Sequence, residues 1–86
     1  MRKVIRPRER MIKLSIGSSQ LYESIARGIL APFFAILGSK AKGCFDDDDD
    51  EVMEARAGGA NDDQVRELVR RQVARRKARL AELKVA

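Results

Sequence analysis

The chain has 86 residues, a net charge of +5, no histidine and a single cysteine, Cys44. One cysteine and no histidine exclude a disulfide framework, a multi-ligand zinc site and a Cys–His nucleophile. Charged residues make up 36% of the chain and aromatic residues 5%, so much of it must be solvated or paired, and its positive balance favours polyanionic or acidic partners.

Residues 1–10 read as a basic arm, because Arg2, Lys3, Arg6, Arg8 and Arg10 leave little to pack around Pro7. Ile12, Leu14 and Ile16 then alternate with Lys13 and Ser15, the period of a short half-buried strand that Gly17 ends. Ser18 and Ser19 can cap a helix over about 19–38, whose apolar face carries Leu21, Ile25, Ile29, Phe33 and Leu37. Phe34 points to a second side, which implies burial against a partner. Pro32 lacks a donor and must kink this helix or open a second one. The second segment, residues 11–43, therefore reads as a strand plus a kinked apolar helix.

Residues 44–60 read as an acidic and glycine-rich linker. Five adjacent carboxylates, Asp46 to Asp50, repel one another and stay extended unless cations order them. The run lacks the alternation and glycine of a calcium loop. Charge pairing with an arginine surface, on this chain or on a partner, is the alternative to a solvated linker. Gly58-Gly59 is a hinge, with no lysine and hydroxyl after it to make a phosphate loop.

Asn61 caps the last segment, residues 61–86, with Asp62 and Asp63 in its first turn and Gln64 placed for a reciprocal bond. A helix is expected over about 62–84. Val65, Leu68, Val69 and Val73 form its apolar docking half. Arg76 and Arg79 fall inside the apolar arc further on, which a dry helix–helix seam would reject. Arg70, Arg71, Arg75, Arg76, Lys77 and Arg79 are thus the candidate anion-binding set, joined by Arg6, Arg8 and Arg10 of the arm. The guanidinium fork suits phosphate and carboxylate because it binds both bidentately and keeps its charge.

A membrane span fails on length. The uncharged run between Arg27 and Lys40 is about twelve residues, against roughly twenty needed to cross a bilayer. No signal-peptide pattern is clear either. The sequence therefore predicts a mainly α protein with a short N-terminal strand and no self-sufficient globular core. Its expected role is a non-catalytic structural or assembly component of a larger complex, of virion or nucleoprotein type, in a reducing cytoplasm or a virus particle. No cofactor, metal or catalytic residue is assigned. A nucleic-acid-binding regulator is the alternative reading, and a peripheral protein on an anionic membrane surface the third.

Overall fold

The computed structural model describes residues 2–38 and 40–85. Met1, Ser39 and Ala86, which belong to the expected arm, second segment and last helix, lie outside the described residues. The protein is mainly helical, with one small antiparallel sheet.

Strand β1 (Val4–Ile5) precedes helix α1 (Pro7–Leu14). Proline at the first helical position has no donor to lose and its φ is already helical. Glu9 accepts a bond from the Arg6 N–H at 3.2 Å, which closes the first turn. The strand expected over residues 11–16 is therefore corrected: Met11 to Leu14 are helical, and the N-terminal strand lies earlier. Alternation over so few residues is a weak strand signal: in α1 it is Met11 and Leu14, three apart, that pack on the core, while Ile12 is 72% exposed. Of the expected arm, the described residues 2–10 are likewise no loose segment, since they supply β1 and half of α1.

Helix α2 (Ser18–Ala26) starts within a residue of the expected place and ends early. The expected serine cap is corrected: Gly17 is the N-cap, Ser18 and Ser19 lie in the first turn, and the Gly17 N–H donates to Gln20 Oε1 at 3.3 Å. Gly28 takes φ +76°, which an L side chain resists, and the chain turns back on itself. Pro32 opens no second helix but precedes a strand. Phe34–Leu37 forms strand β2 and Ala41–Phe45 forms β3, joined through Gly38 at φ +66°. An apolar run of five residues between proline and glycine suits a strand as well as a helix turn. Strand β3 lies centrally in the order β1-β3-β2. Its registers are Val4↔Phe45 and Ile5↔Cys44 on one side, and Phe34↔Gly43 and Ala35↔Lys42 on the other.

Gly43 is required where it stands. A Cβ there would lie 2.7 Å from Ile36 Cδ1, 2.8 Å from Val4 Cγ1 and 2.9 Å from the Ile5 carbonyl oxygen. The backbone oxygen cannot move aside. Gly43→Ala is expected to cost about 1–3 kcal/mol by overpacking, read as a lower urea midpoint at unchanged slope.

The expected acidic linker is the largest correction. Asp46–Ala57 is a twelve-residue helix, α3, with Asp46 to Asp49 in its first turn. Carboxylates there face the positive end of the helix dipole. Asn61 then opens α4 (Asp62–Val85, 24 residues) by the reciprocal bonds expected: Gln64 N–H to Asn61 Oδ1 and Asn61 N–H to Gln64 Oε1, both 2.9 Å.

Leu21, Leu30, Ala31, Val52, Val65 and Val69 meet as a buried core, with Met11, Leu14, Ile25, Ile29, Phe33 and Leu68 packed around it. The chain thus has a core of its own, contrary to expectation. Its radius of gyration is 13.3 Å, close to the roughly 12 Å of a folded chain this long. A 24-residue helix measures roughly 36 Å, which nearly fills the 40 Å long axis of the molecule.

Candidate functional site: the arginine clamp and the α4 overhang

The acidic first turn of α3 is held from three directions. From α1, Arg10 grips Asp49 with two bonds, Nε to Oδ2 at 2.8 Å and Nη2 to Oδ1 at 2.7 Å. Both side chains are fully buried, and Arg10 Nη1 also donates to the Ala31 carbonyl at 2.8 Å. From the N-terminal segment, Arg2 bridges Asp47 and Asp48, while Lys13 of α1 bridges Asp46 and Asp50. From α4, Arg76 Nη2 reaches Asp48 Oδ2 at 3.1 Å and Arg75 Nη2 reaches Glu51 Oε1 at 2.8 Å. Buried Gln72 donates to the Asp48 carbonyl at 2.9 Å. Each of the six acidic residues from Asp46 to Glu51 has a cationic partner. Repulsion along the run is cancelled by side chains from three other segments, which is why it folds as a helix.

Burial pushes the Asp49 carboxyl up, and the Arg10 fork pulls it back only in part. On the surface the Arg2 bond holds Asp47 below the usual carboxylate value. Cys44 sits beside Asp49, with Sγ 4.0 Å from Oδ2 as a weak donor. Burial, and then the Asp49 charge, raise this thiol from the ordinary 9.0 to about 11, against the opposing effect of Arg10 and Arg76. The folded chain therefore keeps a proton that the unfolded chain releases. The resulting stability is complete below pH 9.0 and is lost as pH rises towards about 11, at about 1.4 kcal/mol per pH unit in that window. Cys44→Ala is expected to remove this loss, as measured by urea unfolding between pH 8 and roughly 11.

These contacts redistribute the expected anion-binding set. Arg10 is buried and committed, so it is unavailable to a ligand. Arg76 is 15% exposed and committed as well. Its Nη1 donates to the Pro32 carbonyl at 2.8 Å, and its guanidinium lies 5.1 Å and 5.6 Å from the Phe34 and Phe45 ring centres. Arg75 is paired with Glu51, Arg70 with Glu67 and Arg79 with Glu82, all at the surface. Such exposed pairs are worth little and can exchange for a ligand. Among the described residues, Arg6, Arg8, Arg71 and Lys77 have no carboxylate partner within ion-pair distance. Sequence reasoning missed Arg2, Lys13 and Gln72 as partners of the acidic run. None lies near it in the chain, so only tertiary structure could reveal them.

The expected docking residues divide in the same way. Leu21, Val65 and Val69 are buried in the chain's own core, with Ile25, Ile29, Phe33 and Leu68 against it. Their packing is within the chain. Val73 lines a shallow groove of about 480 Å³ beside Val69, Arg27, Arg66, Arg70 and Lys77. Phe34 is half-buried in the sheet, and Leu37 is 75% exposed.

Beyond Arg76, α4 outruns the globule. Lys77 to Lys84 are all exposed, including Leu80 at 51% and Leu83 at 59%. The body-facing stripe of Val65, Val69, Gln72 and Arg76 continues through Leu80 and Leu83 with nothing beneath it.

Among the described residues no helix is long and apolar enough to cross a membrane, and no group of three or more His, Cys, Asp or Glu side chains is placed to hold a metal ion. No protein-family model, curated protein or solved structure matches this chain.

Proposed function

We propose that this protein is a small non-catalytic assembly component that attaches to a larger protein complex through the projecting end of α4. The observation that carries this reading is the overhang. Its two exposed leucines are flanked by Lys77, Arg79 and Lys84, on a helix anchored by its first half. A monomer gains nothing from two exposed leucines on an extended helix, whereas a binding surface uses them as anchors. Among the described residues, a chain shortened after Lys77 loses only exposed side chains. It is expected to melt within about 0.5 kcal/mol of the full chain. In extract from the source cells, the full chain should migrate in a large particle resistant to nuclease, and the shortened chain as a free monomer. Full-length protein migrating as a 9.7 kDa monomer would refute the proposal.

The unpaired cations favour a second reading, attachment to nucleic-acid backbone. The acidic run is neutralised internally, so Arg6, Arg8, Arg71 and Lys77 remain for phosphate. That reading requires a particle dispersed by nuclease, and an affinity for duplex DNA or RNA that falls steeply with salt.

A further inference from the structure

We infer that the corner between the α4 overhang and the outer face of the sheet receives an acidic, apolar-anchored segment of a partner protein. This rests on the attachment proposed above and adds a second surface and a partner chemistry. The outer face carries Val4, Phe34, Ile36 and Phe45 around Gly43. Val4 is 37% and Ile36 38% exposed. Only the Phe34–Phe45 end is capped, by the guanidiniums of Arg2 and Arg76. Because Arg76 lies on those rings, the side of α4 turned towards this face is the one that carries Leu80 and Leu83, one and two turns further on. Of the exposed large apolar side chains, Val4, Ile36, Leu37, Leu80 and Leu83 all belong to the sheet or to this helix end.

Charge selects the occupant. On the helix, Arg79 flanks the two leucines on one side and Lys77 and Lys84 on the other. The one acid there, Glu82, is held by Arg79 at 2.8 Å. A second copy of this chain would bring the same cations face to face, and each copy carries +5. A nucleic-acid backbone gives no return for covering four aliphatic side chains. A lipid surface is flat, whereas the inferred surface draws on two separate elements, a helix end and a sheet face joined at Arg76. A segment with leucine-like anchors and carboxylate flanks satisfies both the apolar lining and the positive rim.

The test uses a synthetic amphipathic peptide, leucine on one face and glutamate on the other, titrated against the full-length protein by fluorescence anisotropy. Binding is expected, weakened by salt, and lost at least tenfold in both Leu80→Ser/Leu83→Ser and Ile36→Ser. Ile12→Ser, a change at a more exposed position on α1, should leave it unaltered. All three variants alter exposed positions, and their melting curves verify the fold. The inference is overturned by no binding, by equal binding of the same peptide with lysine for glutamate, or by an Ile36→Ser variant that binds as tightly as the parent. It is also overturned if Leu80→Ser/Leu83→Ser abolishes instead a dimer seen in sedimentation, adsorption to phosphatidylserine vesicles, or duplex DNA binding. A nuclease-resistant particle together with a failed peptide titration would leave the attachment standing and remove this corner as its basis.

Discussion

Arg10→Ala is expected to unfold the protein at room temperature, or to leave it with an unfolding midpoint near zero urea. The substitution strands the Asp49 carboxylate in a site with no solvent access. It also frees the buried Ala31 carbonyl, which receives an Arg10 bond at 2.8 Å. Breaking a buried pair from one side costs about 3–5 kcal/mol. A domain of this size has roughly 5 kcal/mol in total to lose. The loss is therefore comparable with the whole stability. Circular dichroism at 222 nm and urea titration measure it directly.

The same geometry predicts the rescue. Arg10→Met with Asp49→Leu removes both charges and fills the space with apolar atoms. Replacing a buried pair by hydrophobic residues of similar volume is often neutral or stabilising. The double variant is expected to recover most of the loss, leaving mainly the unsatisfied Ala31 oxygen, at about 1–3 kcal/mol. An Arg10→Ala variant as stable as the parent would show that Asp49 is neutral and self-sufficient in its site, and the clamp would lose its central role.

The α4 helix was legible residue by residue. Asn61, Asp62, Asp63 and Gln64 are a local start signal, and their bonds lie within the first turn. The α2 start was legible only in position, since Gly17 and not Ser18 or Ser19 stands at its cap. Elements whose partners lie far away in sequence were not legible. Asp46 to Asp50 reads as a repelling run in any local window. It becomes a helix because Arg2, Lys13 and Arg10 arrive from about 35–45 residues upstream, and Arg75 and Arg76 from downstream. Phe34 to Leu37 reads as a helical continuation until β3 offers its edge. From sequence the apolar halves of α2 and α4 suit docking on a partner, whereas each packs into the chain's own core. The candidate site was legible as chemistry, an arginine-rich helix with an interrupted apolar stripe. The division of its arginines into structural and available ones depended on the acidic helix they meet.

Arg76 tests that division. Read from sequence, it breaks the apolar stripe and belongs to an anion grip, so its loss should weaken anion binding and spare the fold. In the structure it joins three elements. It donates to Pro32 before β2 and to Asp48 in α3, and it lies over Phe34 and Phe45. Asp48 is 1% exposed and would retain only Arg2 as a cationic partner. Arg76→Ala is therefore expected to cost about 2–4 kcal/mol of stability. Arg76→Lys should recover less than half of that, because one ammonium cannot serve a carbonyl and a carboxylate while lying flat over two rings. Lys77→Ala, its exposed neighbour, should cost less than about 0.5 kcal/mol. If instead Arg76→Ala melts like the parent and Lys77→Ala does not, the anchoring role assigned to Arg76 is wrong. A destabilised Arg76→Ala also has a functional consequence. The overhang leaves the globule directly after this residue, so loosening its anchor should weaken the proposed attachment even though Leu80 and Leu83 remain unchanged. Attachment measured at a temperature where the variant is still folded separates that effect from unfolding.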